Sequence, residues 1–153
     1  MRVTVERAEL WHAEYIANRC RPADVLELAA LGVTPYQAMR DSLHVPGLAY
    51  TGMVDGEPVC MFGACEATMV GNLARPWMVG STLVEKYQLQ FLRRNRKMLG
   101  IWLDLYTRLE NYVDVRNTQA IKWLRWLGFE FTGPQPLGPY RTPFYRFSMS
   151  REG

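Results

Sequence analysis

The stretch Val113-Asp114-Val115-Arg116-Asn117-Thr118-Gln119-Ala120-Ile121-Lys122-Trp123-Leu124-Arg125-Trp126-Leu127-Gly128-Phe129 decides the fold, because it spells the end of a strand, a cap, a helix and a stop. Leu109 to Val115 carries β-branched and aromatic residues suited to a strand. Asn117 has a side-chain oxygen that accepts hydrogen bonds from the first free N–H groups of a helix. Ala120, Ile121, Leu124 and Leu127 then recur at three- and four-residue steps, the spacing of one buried helical face. Gly128 supplies a left-handed residue to end that helix, and Phe129 anchors the turn into the next strand.

Downstream, Glu130 to Thr132 extends a strand, Gly133 to Pro139 is so rich in proline that it reads as a loop, and Phe144 to Met149 forms a last strand. Upstream, Tyr87 to about Tyr106 reads as the longest helix. Leu89, Leu92, Leu99, Leu103 and Tyr106 form its apolar stripe, Arg93, Arg94, Arg96 and Lys97 its basic segment, and Gly100 a point of weakness. Pro76 to Gly80 is a short strand, and Thr68 to Arg75 is a loop. Asp55-Gly56-Glu57 between two apolar runs, Leu48 to Val54 and Pro58 to Ala64, is a hairpin signal, since Asp-Gly accepts positive φ in a tight turn. Before it come three short helices: one over Leu10 to Asn18, one from Pro22 to Gly32, and one capped by Thr34-Pro35. Arg2 to Glu6 alternates as a first strand.

Composition narrows the classes. At 153 residues the chain is about one domain long, with 48% apolar and 22% charged residues, an ordinary globular balance. A net charge of +3 permits an anionic ligand without indicating nucleic acid. Cys20, Cys60 and Cys65 are odd in number and lack metal-ligand spacing, which argues for a reducing cytoplasm and no metal site. Charges interrupt the first ten residues, so no signal peptide is expected, and no apolar run is long enough to span a membrane. Trp123 and Trp126, three apart on one helix, read as core or subunit packing.

The pattern Val113-x-x-x-Asn117-x-x-Ala120 ending in Gly128-Phe129 resembles the strand–helix–strand segment near the C-terminus of the GNAT acetyltransferase superfamily, and the order of elements resembles that fold over nearly the whole chain. A narrower set looks like a phage-encoded GNAT-like family that includes the internal virion protein A of short-tailed phages. It comprises Thr34-Pro35 with Ala38, Arg40 and Ser42, the Asp-Gly-x-Pro-Val hairpin, Pro76 to Ser81, and Phe91-Leu92-Arg93-Arg94.

The resemblance implies an α/β domain with a mixed, mostly antiparallel sheet. It implies an acetyl group moved from acetyl-CoA to an amine of unknown identity, with a catalytically silent phage protein, partnered by virion or host proteins, as the alternative. Trp77 to Gly80 and Leu109 to Val113 would be the strands that splay around the pantetheine arm. Met78 and Val79 would offer backbone groups to that arm, Trp77 would line the acyl or acceptor pocket, and Asn117 would lie near the arm. Lys86, Tyr87 and Gln88 would line the phosphate end, where helix N–H groups attract anions.

Two features depart from the family pattern. No glycine lies between Ser81 and Gln90, where the family's phosphate loop needs backbone without Cβ atoms. Leu124 stands where many members carry a proton-donating tyrosine. Tyr112, Tyr106 and Tyr140 are the candidate replacements, and Glu66, Glu110 and Asp114 the candidate bases.

Overall fold

The computed structural model describes residues 1–68 and 72–151. The elements run β1 (Val3–Arg7), α1 (Leu10–Ala17), α2 (Pro22–Ala30), α3 (Pro35–Ser42), β2 (Gly47–Val54), β3 (Glu57–Glu66), β4 (Leu73–Gly80), α4 (Gln88–Leu105), β5 (Arg108–Asp114), α5 (Thr118–Leu127), β6 (Glu130–Leu137) and β7 (Thr142–Ser150), with a single 3-10 turn at Thr82–Val84. Among the described residues the strands form one seven-stranded sheet in the order β1-β2-β3-β4-β5-β7-β6. Every pairing is antiparallel except β4 with β5, whose parallel crossover is made by α4. This is the mixed, mostly antiparallel α/β sheet expected from the sequence.

Local chemistry accounts for the elements. Asp55 and Gly56 both take positive φ, +49° and +83°, the signature of the two-residue turn that matches strand twist. The Asn117 side chain accepts from Ala120 N at 3.4 Å, and Gly128 ends α5 at φ +104°. Thr34 and Gln37 cap α3 reciprocally: Gln37 N donates to the threonine hydroxyl at 3.1 Å and Thr34 N to the glutamine oxygen at 2.9 Å. Thr34→Ala should therefore lower stability by about 1 kcal/mol in chemical denaturation, since Gln37 N then loses its side-chain acceptor.

Three boundaries differ from the sequence reading. The proline-rich segment 133–137 is not a loop but the second half of β6. It tolerates Pro134 and Pro136 because β6 is an edge strand with a register shift between Thr132 and Gln135, where a missing N–H breaks no ladder. β4 begins at Leu73, shortening the loop expected from Thr68, of which residues 69–71 lie outside the described part. Gly100 does not end α4, which continues to Leu105; it is exposed, with open space where a Cβ would stand.

The sheet separates two apolar layers. On one face α4 and α5 pack over Phe62, Ala64, Leu109, Val113 and Phe147. Phe91 lies so close to Gly52 that a Cβ there would sit 2.4 Å from its ring. On the other face α1 and α3 cover Met61 and Val79 with Ala13, Ile16 and Met39. Trp123 is buried in the first layer, whereas Trp126 is partly exposed and stacked under the Arg96 guanidinium at 3.8 Å. Among the described residues no helix is long and apolar enough to cross a membrane.

Candidate functional site

β4 and β5 are hydrogen-bonded only at their first residues, Leu73 with Arg108 and Ala74 with Leu109. Beyond Ala74 the strands diverge, each held by its outer neighbour: β4 pairs with β3 through Gly80, and β5 with β7 through Asp114. A cavity of about 210 Å³ opens in the gap, and its lining draws on both sheet faces, from α2 and α3 on one side to α4 and α5 on the other.

The edges of the gap are bare backbone in search of partners. Gly80 turns both polar groups away from β3: its N–H donates to Asp24 Oδ2 at 3.0 Å, and its carbonyl accepts from Arg21 N at 2.9 Å. Main-chain groups two residues apart in a strand face the same edge, so Met78 N–H and C=O also point into the gap. The Pro76 carbonyl is bridged across the gap by Asn111 Nδ2 at 2.9 Å, while Asn111 Oδ1 takes the N–H of Tyr112 at 2.9 Å. On β5, Asp114 N donates to Glu27 Oε1 at 2.8 Å, and its carbonyl accepts from Asn117 N at 2.9 Å. Side chains of the same chain thus serve most of the open edge, and Met78 keeps its pair of groups facing the cavity.

Those side chains form one buried cluster. Arg21 is 2% exposed, Asp24 5% and Asn117 2%. Arg21 Nη1 donates to Asp24 Oδ1 at 2.7 Å, its Nε to Glu85 Oε1 at 3.1 Å and its Nη2 to Asn117 Oδ1 at 3.4 Å, while its guanidinium lies 4.8 Å from the Trp123 ring. Asn117 Nδ2 donates to Asp24 Oδ1 at 3.2 Å and to Glu27 Oε1 at 3.4 Å. Burial raises the Asp24 carboxyl against the pull of Arg21. Burial likewise pushes Glu27 up to about 7; Asp24 and Asp114 add to the rise, and the Asp114 N–H and Asn117 oppose it. A carboxyl that titrates near neutrality inside a cleft has the properties of a general base.

The segment expected to meet phosphate is built differently. Ser81 N donates to Val59 O, Thr82 N to Arg19 O, Leu83 N to Ser81 Oγ, Val84 N to Ser81 O, and both Lys86 N and Tyr87 N to Leu83 O. The segment between β4 and α4 has used its donors internally, which leaves the first turn of α4, from Gln88 to Gln90, to meet an anion. A Cys20–Ser81 bridge fixes the same segment to the connection between α1 and α2.

The residues singled out in the sequence distribute unevenly. Trp77, Met78, Val79, Tyr112 and Asn117 all line the cavity. Glu66 sits at the zipped end of β4, opposite Ala74, and accepts from Tyr106 OH at 3.1 Å. Glu110 is paired with Arg108 at 3.1 Å and does not line the cavity. Lys86 is exposed, with its ammonium 5.4 Å from the Tyr87 ring, and Gln88 accepts from the indole N–H of Trp123 at 2.8 Å. In the basic segment, Arg94 donates to the carbonyls of Gln90 and Val3, and Arg96 to that of Trp126, so both are committed to holding α4. Arg21, Asp24, Glu27 and Asn111 were not singled out from the sequence; the three-residue spacing of Arg21, Asp24 and Glu27 around one helix start was the available signal.

Other chemistry is less well supplied. Glu6, Glu9 and His12 cluster closely enough to suggest a cation, but Glu9 N donates to His12 Nδ1 at 3.0 Å. That fixes the ring proton on Nε2, which then faces the Glu6 carboxylate at 3.3 Å instead of offering a lone pair. Burial holds the Cys20 and Cys60 thiols up to about 12, which makes them poor nucleophiles.

No protein-family model matches the chain, and no curated protein matches it in sequence. Solved structures do match its architecture. An acetyltransferase of the GNAT family from Streptococcus pneumoniae superposes with a TM-score of 0.67 at 14% identity, over 97% of this chain and 99% of that one. The ribosomal-protein-S18-alanine N-acetyltransferase from Escherichia coli gives 0.68 at 15%, over 97% and 94%. An aminoglycoside acetyltransferase in complex with coenzyme A gives 0.69 at 15%, over 99% and 96%. The sheet with its parted β4 and β5 is the GNAT fold.

Proposed function

We propose that this protein is an N-acyltransferase-like protein that takes an acyl-CoA, acetyl-CoA in the simplest case, and presents its acyl group to an amine. The observation that carries this reading is the gap beyond Ala74 and Leu109, with the Met78 main-chain pair facing the cavity. An extended amide-bearing arm pairs with such an edge as another strand would. The pantetheine arm therefore fits along Met78 and Val79 beside Asn117. The phosphate end fits less well, because only the first turn of α4 and the exposed Lys86 remain to meet it. Acetyl-CoA when bound supplies an activated acyl group. Glu27 receives the proton that an attacking amine must lose, and the Tyr112 hydroxyl, in the same cavity, is the donor for the departing sulfur. The aminoglycoside and the ribosomal-protein alanine named for the solved neighbours make an amine acceptor the natural class.

A second reading has its own support: a silent GNAT-fold protein of phage origin that serves virion assembly or a host partner. Asp24, Glu27 and Asn111 already occupy most of the edge a coenzyme would pair with, and Leu124 offers no proton. Titration with acetyl-CoA during thermal denaturation separates the two. At a concentration 100-fold above the dissociation constant, binding stabilises the fold by about 2.7 kcal/mol, a rise in Tm of roughly 5–10 °C. An unchanged Tm at millimolar acetyl-CoA would leave the assembly reading standing.

A further inference from the structure

The outer face of α4 and α5 carries a charge pattern that the transferase reading does not use. No acidic residue occurs from Lys86 to Leu103, nor from Arg116 to Phe129, although the whole chain has a net charge of only +3. The other segments therefore carry an acidic excess, and the positive field is concentrated on this pair of helices. Arg93 and Lys97 stand one turn apart on α4, as do Lys122 and Arg125 on α5. All four are exposed, and none forms an ion pair with a carboxylate among the described residues. They lie on the sides of their helices opposite the buried residues, Phe91, Leu92, Leu99 and Trp102 on α4 and Ile121 and Trp123 on α5.

The two helices are pinned side by side at two levels. Gln119 Nε2 and Trp123 Nε1 both donate to Gln88 Oε1, at 3.2 and 2.8 Å. About two turns further along α4, Arg96 Nη2 donates to Trp126 O at 3.1 Å. Arg93 falls between those levels on α4 and Lys122 on α5, so the four cations share one solvent face. Aromatic rings are interleaved with them. The Arg96 guanidinium stacks 3.8 Å from the ring of Trp126, which is partly exposed, and Arg125 lies 5.2 Å from the Phe131 ring.

We propose that this face binds a single-stranded nucleic acid, with its phosphates on Arg93, Lys97, Lys122 and Arg125 and its unpaired bases stacked on the Arg96–Trp126 pair. Cations that track a backbone beside a ring that accepts any base hold single strands without regard to sequence. An acidic protein fits less well, because a protein interface has an apolar centre inside a polar rim. Here Gln88, Gln119 and Lys122 occupy the middle of the face. A duplex also fits less well: both helices pack against the sheet, and neither projects as a rod into a groove.

The probe is a fluorescein-labelled uridine oligonucleotide of about 20 residues, with anisotropy as the readout. Affinity should fall about fiftyfold between about 50 and about 200 mM salt, the dependence for four phosphates neutralised on a single strand. Arg93→Gln/Lys97→Gln/Lys122→Gln/Arg125→Gln should weaken binding at least about fiftyfold at the lower salt. Arg2→Gln/Arg7→Gln/Arg75→Gln/Arg141→Gln changes the net charge equally at exposed positions off these helices, and should cost under about threefold. Trp126→Ala should weaken the oligonucleotide about tenfold, the loss of one base stack, and leave poly-glutamate binding unchanged. Equal losses in the two quadruple variants would mean that net charge alone is at work and overturn the proposal. So would poly-glutamate or a duplex of equal charge that binds as tightly as the single strand. Displacement of the oligonucleotide by acetyl-CoA overturns it too, since the cations would then belong to the coenzyme's phosphate end; simultaneous binding supports a separate surface. The transferase reading does not depend on any of the oligonucleotide results.

Discussion

Arg21→Met should destabilise the protein by about 3–5 kcal/mol, the cost of leaving one member of a buried ion pair without the other. For a chain of this size that corresponds to a fall in Tm of roughly 6–20 °C. The side chain is 2% exposed and makes close contacts with Asp24, Glu85 and Asn117. Methionine keeps most of the stem packed against the surrounding apolar atoms, so lost volume contributes little. What remains is the Asp24 carboxyl, 5% exposed, still bound to Gly80 N and Asn117 Nδ2 but deprived of its counter-charge. The double variant Arg21→Met/Asp24→Asn tests that cause directly. Asparagine keeps an oxygen for Gly80 N and removes the stranded charge, so it should recover more than half of the loss in urea denaturation. Equal instability in the single and double variants would assign the effect to packing of the arginine stem instead.

Much of the fold could be read from residue pattern because its signals are local. Asn117, Ala120 and Gly128 specify the cap, face and stop of α5 by spacing alone, and Asp55-Gly56 specifies its turn by the φ angles the pair accepts. The second half of β6 was hidden for the opposite reason. Pro134 and Pro136 argue against a strand unless that strand lies at an edge, and edge position is a property of the whole sheet.

The site divides along the same line. Residues 77–79 and Asn117 sit in segments whose order resembles a known fold, and the structure brings them to one cavity. Glu66 and Glu110 are separated from it because they lie near the zipped end of the gap, a distinction that depends on where β4 and β5 part. Asp24 and Glu27 are plain surface-type residues in the sequence. Asp24 becomes buried and Glu27 half-buried only because α2 docks its first turns across the mouth of the gap, which no local pattern specifies. The missing glycines after Ser81, by contrast, were legible. Their physical counterpart is a turn that hydrogen-bonds to itself and its neighbours, where a phosphate loop would leave its N–H groups pointing outward.

Glu27→Gln should flatten a pH dependence of stability worth about 3 kcal/mol. The folded protein holds the Glu27 carboxyl up to about 7, against 4.5 as the ordinary value. Between those two pH values the folded state keeps a proton that the unfolded chain has released. Stability from this group is therefore fully present below about pH 4.5, falls as pH rises through that window, and is level above about pH 7. Glutamine keeps an oxygen for Asp114 N, so the contact at 2.8 Å survives while the ionisation does not. The difference between wild type and variant in urea midpoints, measured at about pH 5 and about pH 8, cancels the remote carboxylates and leaves Glu27 with its coupling to Asp24 and Asp114. The variant should be the more stable of the two at the higher pH and nearly equal at the lower. Parallel profiles would mean that Glu27 titrates normally and that α2 leaves its carboxyl open to water. The same ionisation bears on chemistry: a base at this position works only after losing its proton. Any acyl transfer should therefore decline below about pH 7 in the wild type, and Glu27→Gln should remove most of it at every pH. Loss of activity together with a flattened stability profile would place the ionised Glu27 at the reacting centre; a flattened profile with unchanged activity would make it a structural group of the closed gap.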